Sequence, residues 1–106
     1  MIRRIQNEQK PWVEHNFGTH RPAWQPLLGA VEELGELAHA FLKRDQGIRV
    51  NEYHKLSIED ALGDIVIYLM DFASAEDIDL QQVIERTWQE VKKRDWKKYP
   101  ENGRTK

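Results

Sequence analysis

The sequence predicts an all-α fold, a four-helix bundle, on three observations. Apolar residues recur at helical spacing in four separate stretches. The strict alternation that marks a half-buried strand is almost absent. Turn formers and N-cap residues fall where the helical periodicity stops.

Residues 2–16 read as a first helix that turns Ile2, Ile5, Val13 and Trp12 inward. Pro11 is expected to kink it or to open a second short helix, because proline lacks the N–H of a helix interior. "FGTHRPAWQP" then forms a connector rich in turn formers and aromatics. The second helix is expected from about Pro26 to Arg44, with Leu27, Val31, Leu34, Ala38 and Phe41 as its core stripe. Gly47 is placed to terminate it. The third covers roughly Leu56 to Ser74, with Ile58, Leu62, Ile65, Val66 and Leu69 facing the core. "SIED" at 57–60 fits a capping box, Ser57 as cap and Asp60 as its partner. In the fourth, Asp79 is the expected cap and Gln82 its reciprocal partner. Leu80, Val83, Ile84, Thr87, Trp88 and Val91 share one face of that helix.

The 106 residues suffice for one domain, expected over residues 1–106, with a modest core. Hydrophobic residues at 40% and charged residues at 32% fit a folded chain rather than a disordered one. No cysteine is present, which excludes disulfides and thiolate metal sites. The start, "MIRRIQNEQK", has no apolar signal-peptide core, and the longest apolar run, "IVIYLM", is too short to span a bilayer. A cytoplasmic protein with no membrane partner is expected. Nucleic acid is not expected either, because the basic residues are terminal and no groove-reading motif is present.

The net charge of −2 hides a segregation. Residues 56–80 hold seven acids and no lysine or arginine, whereas residues 92–106 hold seven bases and two acids. An acidic centre beside a basic tail suits a cation and an anionic ligand together; a solvated terminus has the same composition. On the second helix Glu32, Glu33 and Glu36 crowd one side of one turn, where like charges repel by roughly 0.2–0.5 kcal/mol per pair. By helical arithmetic they lie away from the predicted core stripe, as solvated residues also do. The third helix adds Asp60, Asp64 and Asp71 in a narrow stripe, with Ile67 pointing into it and apolar residues on several sides. Such a helix is expected to be buried on more than one side, with its aspartates in a cleft or interface. Buried carboxylates must be protonated or neutralised, and this helix carries no base to do so. All-oxygen ligands favour Mg²⁺ or Mn²⁺, and Mg²⁺ characteristically keeps positions open for water and phosphates.

"EELGELAHAFLKR" followed by "EDALGDIVIYL" resembles the MazG-like, all-α nucleoside triphosphate pyrophosphohydrolases. Their pattern is E-x-x-E on one helix and E-x-x-D on the next. The first half falls on Glu33 and Glu36, preceded by the extra glutamate, Glu32, that many members share. In the second half Asp64 fits, but Ala61 stands where the family most often has glutamate. Asp60 is the neighbouring candidate for the missing carboxylate, with its capping role as the alternative. "KKRDWKKYP" also resembles the basic C-terminal stretch of several members, so the likeness runs over about residues 24–100.

The resemblance implies a MazG-type fold, a homo-oligomer (dimer or tetramer), and Mg²⁺-dependent hydrolysis of a nucleoside triphosphate to the monophosphate and pyrophosphate. Glu33, Glu36, Asp64 and Asp60 become the candidate metal ligands. Glu32 is the candidate general base, with a second-ligand or solvated role as alternatives. Arg94 and Lys97 are candidates for the phosphate tail. Trp24, with Trp12 and Trp96, is available to hold the base, with plain packing or oligomer contacts as the more frequent use of such residues.

Two other classes remain. One is a non-catalytic helical dimerisation module whose acids only solubilise it. The other is a carboxylate di-iron protein, which needs two Glu-x-x-His motifs. Only Glu36–His39 supplies one.

Overall fold

The computed structural model describes residues 1–104 as four helices: α1 (Ile2–Phe17), α2 (Trp24–Gln46), α3 (His54–Ala75) and α4 (Leu80–Val91). No strand occurs among the described residues. The last two residues of the basic tail lie outside them.

The long helices α2 and α3 pack against each other as a hairpin, α1 lies on α3, and α4 rests on α1. The seam between α2 and α3 is built from small residues. Ala30 and Ala40 of α2 and Ala61 and Ala73 of α3 are buried, with Pro26 and Met70 filling the larger spaces. Gly29 permits the closest approach: a Cβ there would stand 2.4 Å from the Tyr68 ring. Gly47 ends α2 in the left-handed region at φ 69°, as expected of a glycine C-cap.

The faces predicted as core are not the buried ones. On α2, Leu27, Val31, Leu34, Ala38 and Phe41 are all exposed, Leu34 by 56%. The helix is rotated so that Ala30, Glu33, Leu37 and Ala40 face the seam instead. On α3, Ile58 and Ile65 are half-buried as expected, but Leu62, Val66 and Leu69 are exposed, and Ala61 takes the buried position. Trp12, Ile84, Trp88 and Val91 are exposed as well. The physical reason is reach. Small side chains let two helices approach closely, and the large apolar residues are left on the outer flanks. The four helices accordingly do not close into one bundle. The radius of gyration is 17.6 Å, against about 13 Å for a compact chain of this length.

Two local expectations change, and a third holds. α1 runs unbroken through Pro11. α3 begins at His54 with Tyr53 as its N-cap residue, so Ser57 lies inside the helix and the Ser57–Asp60 capping box does not form. Asp79 does cap α4, accepting the Gln82 N–H at 3.4 Å, but its stronger partner is Arg3, whose Nε donates at 2.7 Å. That contact holds the Asp79 carboxyl below its ordinary pKa. Buried Gln6 completes the α1–α4 joint: its amide donates to Ser74 Oγ and the Ile78 carbonyl, and accepts from the Leu80 N–H.

Candidate functional site

The rotation of α2 brings Glu33 to the seam. Glu33, read from the sequence as lying on the outer side of the helix, is half-buried against α3. Its carboxyl pKa is raised, first by desolvation and then by the charges of Glu36, Asp64 and Glu32. Those four carboxylates thus share one electrostatic environment across two helices. Glu32, Glu36, Asp60 and Asp64 are exposed, and none of the five acids has an ion-pair partner among the described residues.

Among the described residues, no three aspartate, glutamate or histidine side chains are already gathered about a point that could hold a metal ion. The donor set nonetheless fits a hard divalent cation. It is all oxygen, it carries repulsion that a cation would relieve, and the exposed side chains are free to turn inward. Ala61 is 3% exposed. Asp60, one residue earlier, lies outside the buried face.

Beside the acids lies a cleft of about 590 Å³. Glu32, Glu33 and Asp64 line one end, and Trp12, Phe17, Trp24 and Tyr68 supply aromatic walls. Trp12 and Phe17 meet edge to face with ring centroids 5.9 Å apart. Gln9 ties α1 to the cleft wall by donating its amide N–H to the Ile67 carbonyl at 2.8 Å. Trp24 therefore stands in the same cleft as the acids, whereas Arg94 and Lys97 do not line it. They follow α4, where Asp95 organises a short turn by accepting the Lys97 and Lys98 N–H groups. Arg94 there lines a separate shallow pocket with Tyr99 and Gly103. His39 lies 3.9 Å from Glu52 across the α2–α3 connection.

Asp71 departs from the sequence expectation. Carboxylates buried on α3 were to be neutralised by a metal, but Asp71, with its side chain 11% exposed, pairs with Arg21 of the α1–α2 connector. Arg21 also lies over the Phe17 ring, 5.2 Å from its centroid. Arg21, Phe17 and Gln9 are among the cleft residues that sequence reasoning missed. The concentration of aromatics in "FGTHRPAW" was the available signal.

These features define a helical class of site: a carboxylate-lined helix hairpin with an aromatic cleft beside it. A family model, the MazG nucleotide pyrophosphohydrolase domain, matches residues 25–98. The match spans most of the chain, and the chain belongs to that family. The domain points to a hydrolase acting on nucleotides, of a kind generally dependent on divalent metal. Searches of curated proteins and of solved structures give no match. No helix among the described residues is long and apolar enough to cross a membrane.

Proposed function

We propose that this chain, acting as one domain over residues 1–106, hydrolyses nucleoside triphosphates between the α and β phosphates. Water adds to the α-phosphorus, the bridging P–O bond breaks, and nucleoside monophosphate and pyrophosphate leave. The observation that carries this reading is the set of mutually repelling carboxylates on α2 and α3, without an ion-pair partner among the described residues and opening through Glu32, Glu33 and Asp64 into an aromatic cleft.

In this reading Glu33, Glu36 and Asp64, with Asp60 as a fourth, hold Mg²⁺, for which Mn²⁺ can substitute. When bound, the cation neutralises the acids and stabilises negative charge on the phosphates. Glu32, on the cleft wall, orients the attacking water and takes its proton. Trp24, with Trp12 and Tyr68, buries the base and excludes solvent around it. Arg94 and Lys97, which do not line the cleft, are assigned to the phosphate tail.

Assembly is part of the proposal. Stripes of exposed Leu, Val and Phe on α2 and α3, together with the expanded radius of gyration, support the reading that copies of the chain complete its core. A dimer or tetramer is the expected state. Light scattering that returned 12.6 kDa at micromolar concentration would overturn it. The activity is tested by pyrophosphate release over a panel of nucleotides, with and without Mg²⁺. Release that depends on Mg²⁺ is the expected result, and silence across the whole panel would reject the reading in favour of a non-catalytic module.

A further inference from the structure

The cleft takes in Glu32, Glu33 and Asp64, and the one cation among its described lining residues is Arg21. Its partner Asp71 is two helical turns beyond Asp64 on the same face of α3, a rise of about 10 Å. That separation compares with the reach of a nucleoside from its α-phosphorus to the far edge of its base. An α-phosphorus placed against the Asp64 end therefore leaves the base edge at the Arg21–Asp71 end, among the cleft's aromatic walls.

The pair is built to be rigid. The Arg21 side chain is 13% exposed, Asp71 holds one of its N–H groups, and the Phe17 ring supports its face. Asp71 takes a single N–H of the five that a guanidinium carries, so donors remain in a fixed plane. Donors held at one end of a cleft with aromatic walls favour a ligand edge that presents strong acceptors. We propose that Arg21, oriented by Asp71, reads the base and selects nucleotides whose base carries a ring carbonyl over adenine, which has none; this rests on the nucleotide-substrate reading above.

The test compares kcat/KM for ATP with that for GTP, CTP and UTP in the wild-type protein and in the Arg21→Lys and Asp71→Asn variants. Equilibrium binding of the same four nucleotides and circular dichroism are recorded on each protein. The expected result is a wild-type preference for the carbonyl-bearing bases that shrinks by roughly ten- to a hundredfold in both variants. ATP should change least. A uniform loss across all four nucleotides would show that the pair only braces the connector, and would overturn the proposal. So would a wild type that handles ATP as well as the others, a result that decides the matter even if neither variant folds. A wild type that binds nucleotides selectively but releases no pyrophosphate would instead reject the catalytic reading and leave base selection standing.

Discussion

At the C-terminal end of α3, Asp71 is buried and meets Arg21; two turns earlier, Asp64 is exposed and faces other carboxylates. Both belong to one acidic stripe of one helix. The chain supplies its own counter-charge at one end, from a connector fifty residues upstream. At the other end it supplies further negative charge. An ion pair closed within the chain fixes the shape of the cleft. The repulsion of the unbalanced cluster is tolerable because most of its members remain hydrated.

Substitutions on the two ends should separate these roles. The largest effect is expected at the unbalanced end. Asp64→Asn or Glu36→Gln should lower pyrophosphate release by orders of magnitude, because in the proposed function each removes a ligand for the cation that stabilises the phosphates. Helical circular dichroism should persist in both. Wild-type rates in Glu36→Gln would break the comparison, since that acid would then be merely solvated.

At the balanced end the effect should fall on stability. Asp71→Ala leaves the Arg21 guanidinium buried without its partner and should cost about 3 kcal/mol. Asp64→Ala should cost nothing comparable. Thermal melts of the two variants side by side check the contrast, and equal losses would refute it.

A smaller change is expected between the two ends, at Gly29. Alanine there forces the Tyr68 ring out of its place against α2. Overpacking of this kind costs typically 1–3 kcal/mol, offset in part by about 1 kcal/mol of helix propensity. The net loss should be about 1 kcal/mol in a melt, with a raised KM because Tyr68 lines the cleft. An unchanged KM would remove Tyr68 from the substrate's surroundings.

The smallest effect concerns Glu33. Its folded pKa lies above its ordinary value, so the folded state binds its proton more tightly than the unfolded state does. Stability is therefore lost as pH rises from the unfolded pKa through the folded one, and the loss is complete above both. Without divalent cations, Glu33→Gln should melt slightly higher than wild type at pH 7, and the difference should vanish as pH falls below the ordinary glutamate range. Adding Mg²⁺ should raise the melting temperature of the wild type more than that of the variant. A variant that melted lower than wild type at pH 7 would contradict this account.

Much of this was legible in the sequence. Helical periodicity located four helices, Gly47 and Asp79 marked two of their ends, and the paired acidic motifs pointed to the family. Which faces pack was not legible from hydrophobic periodicity alone. Leu27, Val31, Leu34 and Phe41 make the stronger apolar stripe, yet Ala30 and Ala40 make the contact. A pattern of apolar residues records that a face will be covered, not whether the same chain covers it. The Arg21–Asp71 pair was hidden for a different reason, because its members are far apart in sequence and no periodic signal links them. Ser57 looked like a cap because its spacing to Asp60 is right, but α3 had already begun at His54.

The joint between α1 and α4 bears on the order in which the chain assembles. α2 and α3 are neighbours in sequence and can zip together from their shared turn, a local event with little loop to close. The bonds of Gln6 to Ser74, Ile78 and Leu80 instead bridge 68 to 74 residues, and their loop-closure entropy is met only once the hairpin has shortened the path between them. Amide protons along the α2–α3 seam should accordingly exchange most slowly, and those of α4 should open first. The half of the molecule that carries the acids would then be finished before the half that tethers the basic tail.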